Sequence, residues 1–353
     1  MAAPKVSILM ATYNMATYLP VAIQSVLDQE FTDFELLIGD NRSTDGTGDI
    51  ARQFAARDPR IRYHLNDRHC TAAENFNACY ERSNPESHYW IMLASDDWWQ
   101  PNLLRTMVDI ADQDPELVFV HCDARLTDPE GRPTAIRYSD LWNYMSIPEH
   151  GPHYGAAELF HGCYVMALAT LVNRNGKNRI YPATPLMDPS LRLAPDHNLW
   201  LQLMVRGAKA FYVDETLAFY RKHVDAMTMP WNEYPRLYEE VEIFGDRLRG
   251  ACSAELEPLR LEALRSRYAQ LGFHYLSTQQ PDRARDLLSR AHGIEGIRRI
   301  DIPFARLVAA FPVPARMKAG IWNLAVRGNS ALARFRQRSP SQGTRIKASR
   351  QPA

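Results

Sequence analysis

Two adjacent carboxylates, Asp96 and Asp97, follow an apolar run, Tyr89 to Leu93, that has the length and composition of a buried strand. Neighbouring negative charges repel each other unless water, hydrogen bonds or a cation compensates them. Mg²⁺ and Mn²⁺ prefer hard oxygen ligands and bind one or two carboxylates together with phosphate oxygens and water. The Asp96–Asp97 pair therefore predicts a divalent metal site, and a solvated surface turn is the alternative.

Three further polar clusters follow strand-like segments, and segments with helical spacing separate them. The clusters are Thr12, Tyr13 and Asn14 after Val6 to Met10; Asp40 and Asn41 after Phe34 to Ile38; and Asn66, Asp67 and Arg68 after Ile61 to Leu65. Strands that alternate with helices predict an α/β fold with a parallel or mostly parallel sheet. Ligands of such sheets bind beyond the carboxyl ends of the strands, so all four clusters are expected at one edge.

The remaining elements follow from apolar periodicity and from helix-boundary signals. Helices are predicted at Leu19 to Leu27, Gly48 to Ala56, Ala72 to Ser83, Asn102 to Ala111 and Asp196 to Val205, and further strands at Val118 to Cys122, Leu168 to Val172, Ala210 to Val213 and Leu217 to Tyr220. Between Ser139 and Gly155, Tyr, His, Pro and Trp occur without a clear period, which indicates an irregular segment over a pocket.

Composition indicates a globular protein that is not integral to a membrane. The 353 residues suffice for one large domain plus an appendage, and Lys+Arg and Asp+Glu both number 41. The five cysteines include no CxxC pair, so neither a disulfide framework nor a structural zinc site is indicated. Because there is no signal-like start and no apolar stretch of roughly 18 residues, a cytoplasmic location is expected, with no nucleic-acid partner.

Seven segments, in their order along the chain, resemble family 2 glycosyltransferases. They are Ser7 to Asn14, Tyr18 to Gln29, Phe34 to Thr47, Asn75 to Asn77, Ala94 to Asp97, Asp196 to Leu201 and Tyr220 to His223. The resemblance implies a GT-A fold, with a mostly parallel, Rossmann-like sheet flanked by helices. It also implies inverting transfer of a sugar from a nucleotide-sugar donor to a hydroxyl of a polysaccharide, lipid-linked glycan or other glycoconjugate.

The resemblance also implies metal-binding and catalytic roles. A departing diphosphate carries a growing negative charge, which bound Mg²⁺ or Mn²⁺ stabilises as a Lewis acid. By resemblance, Asp97 and His223 bind the metal, and Asp96 faces the ribose or a metal-bound water. Asp196 matches the general base that takes the proton of the acceptor hydroxyl. The structural alternatives are a helix N-cap for Asp196 and a surface position for His223.

The family resemblance also assigns donor binding, to a second group of residues. The donor site comprises Thr12, Tyr13, Asn14, Asp40, Asn41, Arg68, Asn75, Ser95 and Asp96, with Arg221 or Lys222 equally able to neutralise the diphosphate. The ring of Tyr13 offers a stacking face, and a carboxylate or amide oxygen accepts the imide proton of a pyrimidine.

Three departures from the family pattern support an alternative function. Asn41 stands where the family usually has a second Asp, Pro195 where it has Glu, and Glu74 where it often has Arg. The last change removes a cation near the expected diphosphate. The alternative is a catalytically impaired GT-A domain that binds nucleotide sugars or acts as a scaffold. The presence of Asp96, Asp97 and Asp196 favours an active enzyme. A nucleotidyltransferase would need a glycine- and arginine-rich phosphate loop near the N-terminus, which is absent.

The chain is predicted to continue beyond the GT-A domain as a C-terminal helical extension. The predicted domains are residues 1–230 (GT-A), 231–300 (helical) and 301–353 (tail). One tetratricopeptide-like spacing occurs within the helical region, at Leu271 to Tyr275, Ala284, Leu288 and Ala291. A single unit predicts a helical hairpin packed on the catalytic domain, with a peptide-binding array as the alternative.

The predicted tail contains apolar residues interleaved with Arg and Lys, and no acidic residue follows Asp301. Such a pattern predicts peripheral contact with an anionic membrane surface, at the inner face of the membrane. A solvated basic tail is the alternative.

Overall fold

A computed structural model describes residues 3–142, 147–224, 233–278 and 280–293. The chain divides into two compact units, Met1–Leu271 and Gly272–Ala353. The predicted membrane-binding tail lies outside the described residues. The predicted domain limits at residues 230 and 300 stay predictions.

Ten strands and ten α-helices lie in the described part of the chain. The strands are β1 (Val6–Thr12), β2 (Phe34–Asp40), β3 (Ile61–Leu65), β4 (Tyr89–Met92), β5 (Trp98–Trp99), β6 (Leu117–Thr127), β7 (Pro133–Arg137), β8 (Gly151–His153), β9 (Thr170–Asn173) and β10 (Lys209–Arg221). The helices are α1 (Leu19–Leu27), α2 (Thr47–Arg57), α3 (Ala72–Arg82), α4 (Leu103–Gln113), α5 (Ala156–Leu159), α6 (Arg174–Ile180), α7 (Pro195–Met204), α8 (Glu233–Glu242), α9 (Glu257–Ser277) and α10 (Pro281–Gly293).

All the strands belong to one sheet with the order β3-β2-β1-β4-β9-β6-β10-β5, to which β7 adds on β6 and β8 on β10. Strands β3, β2, β1 and β4 are parallel neighbours, as are β6 and β10. Strand β9 is antiparallel to both β4 and β6, so β6 and β10 run in the same direction as β4. The predicted α/β fold with a mostly parallel central sheet is confirmed.

The apolar runs of the sequence correspond to strands buried on both faces. β2 and β4 are buried along their whole length, and β1 is buried except at Ala11. Parallel sheets covered by helices on both faces require such near-continuous apolar strands. Helix α1 buries Leu19, Ile23 and Val26 in the core beside these strands. This packing holds the carboxyl ends of β1, β2 and β4 at one edge.

Three predicted elements differ from the structure. The two strands expected at Ala210 to Val213 and Leu217 to Tyr220 are one strand, β10, which stays paired with β6 through register shifts between Val213 and Ala218. The strand expected from Leu168 begins at Thr170, because Ala167–Ala169 forms a 3₁₀ turn. Helix α7 begins at Pro195, since proline suits the first turn of a helix.

Two helices, α9 and α10, occupy the segment with tetratricopeptide-like spacing. A Cβ atom on Gly272 would lie 2.7 Å from Cγ of Leu288, so glycine at this position permits the close approach of Leu288. Packing of the hairpin on the GT-A domain stays a prediction. In the described part of the chain, no helix is long and apolar enough to cross a membrane.

Candidate active site

The Asp96–Asp97 pair lies in the turn between β4 and β5, at the carboxyl end of β4. Asp97 is 1% exposed, and its Oδ1 accepts a hydrogen bond of 2.8 Å from the backbone N–H of Arg221. Burial and the negative charge of Asp96 raise the pKa of the Asp97 carboxyl well above its ordinary value. A bound cation would favour the ionised carboxylate, so this environment is compatible with a metal ligand.

His223 lies beside Asp96 after the end of β10. The His223 Nε2 and Asp96 Oδ2 atoms are 3.0 Å apart, and the imidazole is buried against the ring of Tyr18, with centroids 4.6 Å apart. His223 Nδ1 is buried without a hydrogen-bond partner among the described residues. The surface alternative for His223 is therefore wrong, and its imidazole faces the acidic pair.

Arg221 is hydrogen-bonded to the turn that contains the acidic pair. Its Nε donates to the Asp96 carbonyl at 2.8 Å and its Nη1 to the Pro129 carbonyl at 2.7 Å. The guanidinium carbon lies 4.7 Å from the ring centroid of Tyr18 and 4.6 Å from that of Trp98. The Arg221 guanidinium is thus engaged inside the protein. The Lys222 Nζ lies 4.3 Å from the ring of Tyr220, burial lowers its pKa, and the negative charge of Asp97 opposes this shift.

The loops after β1 and β2 are joined by hydrogen bonds next to the acidic edge. Asn41 N donates to the Thr12 carbonyl at 2.9 Å. Asn14 N donates to Ser43 Oγ, and Asn14 Oδ1 accepts from Thr44 N, both at 2.9 Å. Asn14 has a φ of 51°, a left-handed conformation that asparagine tolerates better than most residues. The two loops therefore form one connected surface.

The polar atoms of the Asp40 and Asn41 side chains form hydrogen bonds with other residues of the protein. Asp40 accepts hydrogen bonds from Ser43 N at 2.8 Å and from the Tyr63 hydroxyl at 2.9 Å. The Asn41 amide accepts from Cys70 N at 2.8 Å and donates to the Cys70 carbonyl at 2.7 Å. A carboxylate could not donate the second bond. The two hydrogen bonds with Cys70 thus explain an amide at position 41 without reference to the nucleotide base.

Tyr13, Asn14 and Arg68 are the exposed members of the predicted donor group. Tyr13 is 44% exposed and its ring meets that of His69 edge-on, with centroids 4.7 Å apart. Arg68, whose side chain is 72% exposed, forms an ion pair of 2.7 Å with Glu74. Glu74 also completes a capping box with Thr71 at the start of α3. Glu74 therefore stabilises the N-terminus of α3 and holds Arg68 beside it.

The remaining predicted donor residues are buried, except for the half-buried Asp96. Asn75 is 2% exposed; it donates to the Gly39 carbonyl at 2.8 Å and accepts from Asn66 at 2.9 Å. A Cβ atom on Gly39 would lie 2.5 Å from Asn75 Oδ1, so this contact needs glycine. Ser95 and Thr12 are also buried, and Thr12 Oγ1 has no partner among the described residues. These buried residues support the loops at the carboxyl edge of the sheet.

Asp196 lies in the first turn of α7, one residue after Pro195. The N-cap is Ala194, so the alternative role of Asp196 as N-cap is wrong. Among the described residues, its half-buried carboxylate makes no hydrogen bond or ion pair. No hydrogen bond or ion pair in the described part of the chain joins Asp196 to the Asp96–Asp97 pair.

Glu239 of α8 holds the segment that directly precedes α7. Its carboxylate accepts hydrogen bonds from three consecutive backbone N–H groups, those of Arg192 at 2.7 Å and of Leu193 and Ala194 at 2.8 Å. These amides directly precede the turn that carries Asp196. Sequence reasoning missed Glu239 because it lies 45 residues from Ala194 and no local pattern marks it.

The residues at the acidic pair fit a cation that arrives with a diphosphate. Asp96 Oδ2 and His223 Nε2 face each other at 3.0 Å, and Asp97 is the adjacent carboxyl. Among the described residues, no group of three or more His, Cys, Asp or Glu side chains is arranged to hold a metal by itself. Mg²⁺ at nucleotide sites is typically held by one or two carboxylates, substrate phosphates and water, which is the coordination available here.

Comparisons with known sequences agree with this architecture. Residues 7–170 match the family model described as glycosyl transferase family 2. The chain is 29% identical over 219 residues to the putative teichuronic acid biosynthesis glycosyltransferase TuaG of Bacillus subtilis, covering 62% of this chain and 79% of that protein. It is 24% identical over 238 residues to the UDP-Glc:alpha-D-GlcNAc-diphosphoundecaprenol beta-1,3-glucosyltransferase WfaP of Escherichia coli, covering 67% and 84%.

Solved structures show the same fold. The mannosyltransferase PcManGT of Pyrobaculum calidifontis, in complex with GDP-Man and Mn²⁺, superposes with a TM-score of 0.58 at 15% identity, covering 96% of this chain and 89% of that one. Residues 1–349 of S. aureus TarS, in complex with UDP-GlcNAc, give a TM-score of 0.53 at 15% identity, covering 83% and 93%. The fold is therefore GT-A.

Proposed function

We propose that this chain, which belongs to glycosyl transferase family 2, is an inverting enzyme that moves a sugar from a nucleotide-sugar donor to an acceptor hydroxyl. The observation that carries the proposal is the grouping of Asp96, Asp97 and His223 at the carboxyl edge of the sheet, beside the joined loops that follow β1 and β2. Nucleotides bind at this edge in open α/β sheets.

The donor base stacks on Tyr13, whose ring is the exposed aromatic face of the donor group. Arg68, held by Glu74, neutralises part of the diphosphate charge. The remaining residues of the donor site hold these loops in place or line the edge: Thr12, Asn14, Asp40, Asn41, Asn75, Ser95 and Asp96. The amide of Asn41 is already hydrogen-bonded to Cys70, so Asn41 shapes the base pocket. Neighbouring residues recognise the base.

Asp97 and His223 would hold Mg²⁺ or Mn²⁺, and Asp96 would face the ribose of the donor or a water on the metal. When bound, the cation supplies Lewis-acid stabilisation of the charge that develops on the leaving diphosphate. Residues of this chain hold the acidic pair in position. Arg221 fixes its turn through hydrogen bonds to Asp97 Oδ1 and to the Asp96 carbonyl. His223 is fixed by its packing against Tyr18.

Asp196 acts as the general base that takes the proton of the acceptor hydroxyl as its oxygen attacks the sugar carbon. Its carboxylate has no competing partner among the described residues, so both oxygens are available to the acceptor. Glu239 positions this base, because its three backbone hydrogen bonds define the path of the chain into α7.

The acceptor is a glycan or a lipid-linked glycan, made on the cytoplasmic side of the membrane. This proposal rests on two relatives, one named for teichuronic acid biosynthesis and one named for action on a diphosphoundecaprenol-linked GlcNAc. The alternative is a GT-A domain that binds nucleotide sugars without turnover. Two of the three departures that favoured it, Asn41 and Glu74, have structural partners in this chain, which favours the enzyme.

A donor panel tests the proposal. The full-length chain is incubated with UDP-, GDP-, dTDP- and CMP-sugars, with and without Mn²⁺, and both the melting temperature and the release of nucleotide are measured. The enzyme predicts that one donor raises the melting temperature and releases its nucleotide in a Mn²⁺-dependent way. Stabilisation by a donor without any turnover, with acceptor glycans present, would support the scaffold instead.

A further inference from the structure

Two cations, Arg174 and Lys177, are buried three positions apart on α6. Only 8% of Arg174 and 1% of Lys177 is exposed. Neither forms an ion pair with any carboxylate among the described residues. Buried charges are normally paired, because removing a charge from water without compensation is unfavourable. This cluster therefore lacks a counter-ion within the described protein.

The cations are compensated only in part by aromatic rings and neutral acceptors. The guanidinium carbon of Arg174 lies 4.6 Å from the ring centroid of Tyr80, and Lys177 Nζ lies 5.9 Å from the same ring. Lys177 Nζ donates to the Ala183 carbonyl at 3.2 Å. Burial and the charge of Arg174 lower the pKa of Lys177 to about 8, so the ammonium is still mostly protonated at neutral pH. Two positive charges thus remain in the cluster.

A cavity of about 220 Å³ adjoins Arg174. Its walls include Tyr80, Ser83, Thr184 and Leu186, and the exposed Glu81 also lines it. A single water needs only about 10–15 Å³ on this measure, so the cavity has room for a polyatomic ligand. Of the five N–H donors of Arg174, one is used among the described residues, in a bond of 2.8 Å to Ser83 Oγ.

We propose that this cavity binds a small oxyanion of the phosphate class, gripped by the guanidinium of Arg174 and further compensated by the ammonium of Lys177. The planar guanidinium matches the geometry of phosphate oxygens and offers two parallel N–H donors. Glu81 repels such an anion, so it weakens the site without closing it. The ligand is a free ion, because the polar groups that would hold it are buried at the cavity wall.

This site is separate from the acidic pair. The backbone N–H of Arg174 donates to the His88 carbonyl at 2.9 Å, directly before β4 begins, whereas Asp96 and Asp97 follow the opposite end of β4. The wall at Leu186 continues into Met187, which exchanges hydrogen bonds of 2.7 and 2.8 Å with Asn77 of α3. An occupant would therefore stabilise the packing of this segment on α3.

Calorimetric titration of the full-length chain with inorganic phosphate tests the proposal. The buffer contains a chelator, so that no divalent cation recruits phosphate to the acidic pair, and chloride of equal ionic strength sets the baseline. We expect one phosphate per chain, with affinity about 10- to 100-fold weaker in Arg174→Gln, because a charge-assisted hydrogen bond is lost. Asp97→Asn, which alters the acidic pair, should bind phosphate as the wild type does.

Three outcomes would overturn the proposal: no phosphate binding by the wild type, equal affinity in Arg174→Gln, or loss of binding in Asp97→Asn. Far-UV circular dichroism checks that Arg174→Gln folds. If it does not fold, Glu81→Gln supplies the decisive measurement, since removal of a repelling carboxylate should tighten phosphate binding several-fold. Unchanged or weaker phosphate binding in Glu81→Gln would mean that the phosphate does not bind in the cavity beside Glu81, and would also overturn the proposal. None of these measurements depends on sugar transfer.

Discussion

Asp96 Oδ2 and His223 Nε2 lie 3.0 Å apart although 127 positions separate the two residues in the sequence. The contact joins the turn after β4 to the segment after β10, two strands that are not neighbours in the sheet. It brings an imidazole to the carboxylates that we propose as the metal site. Imidazole is a better ligand for Mn²⁺ than for Mg²⁺.

His223→Gln should lower activity in Mn²⁺ more than in Mg²⁺, because the lost ligand favours the softer ion. Transfer rates at saturating donor, measured in each metal, give the ratio. His88→Gln, an exposed histidine before β4, is the matched control and should keep the wild-type ratio. If His223→Gln also keeps the wild-type ratio, His223 does not touch the metal.

Asp196→Asn should reduce transfer by about 10²- to 10⁴-fold, because the amide cannot take the proton of the acceptor hydroxyl. Its affinity for the nucleotide, measured by calorimetry, should match the wild type. Loss of affinity and activity together would instead assign Asp196 a structural role in the first turn of α7.

Glu239→Gln should reduce kcat by about 10- to 100-fold with nucleotide affinity unchanged, because misplacement of the segment before α7 moves the base. The glutamine retains one acceptor oxygen but turns an N–H₂ group towards the backbone amides. Glu242→Gln, an exposed change on the same helix, should leave kcat unaltered.

If Glu239 acts through Asp196, their effects are not additive. The double variant Glu239→Gln with Asp196→Asn should then be no slower than Asp196→Asn alone. A fully additive loss in the double variant would contradict positioning.

Stability should fall in mild acid because of a pair of histidines, the buried His121 and the half-buried His153. The Nε2 atoms of His121 and His153 lie 2.9 Å apart, and burial lowers the pKa of both, that of His153 to about 4. The folded pKa lies below the unfolded value of 6.5, so the stabilisation is complete above pH 6.5 and is lost as the pH falls towards about 4. The rings of Tyr164 and Tyr212 pack on the pair.

For His153 alone the pH effect amounts to about 3 kcal/mol of unfolding free energy. Urea unfolding at a series of pH values measures it, and His153→Phe should flatten the dependence. An unaltered slope in that variant would mean that other groups cause the acid sensitivity.

Much of the fold could be predicted from the sequence, because strands buried on both faces leave long apolar runs that alternate with amphipathic helices. The sequence predicts two strands in place of β10, because the charged residues Asp214 and Glu215 interrupt its apolar pattern. In the structure, Asp214 forms an ion pair of 2.5 Å with Arg137, and pairing with β6 continues past it. A long-range ion pair of this kind leaves no local signal.

The candidate site was predictable in part. The position of the Asp96–Asp97 pair after a strand marks it, and the pattern Thr71-x-x-Glu74 carried a readable capping-box signal for Glu74. The hydrogen bonds between Asn41 and Cys70, and those that Glu239 accepts from the segment before α7, arise from tertiary contacts. Their residue types have no characteristic spacing, so a single sequence does not reveal them.

The rate of sugar transfer as a function of Mn²⁺ concentration, compared between the wild type and Asp97→Asn, tests the central claim most directly. Asp109→Asn, an exposed carboxylate on α4, is the matched control. We predict that the wild type and the control need Mn²⁺, whereas Asp97→Asn is about 10²- to 10³-fold slower at every concentration. An Asp97→Asn variant that transfers sugar at the wild-type rate, with the wild-type dependence on Mn²⁺, would contradict the account.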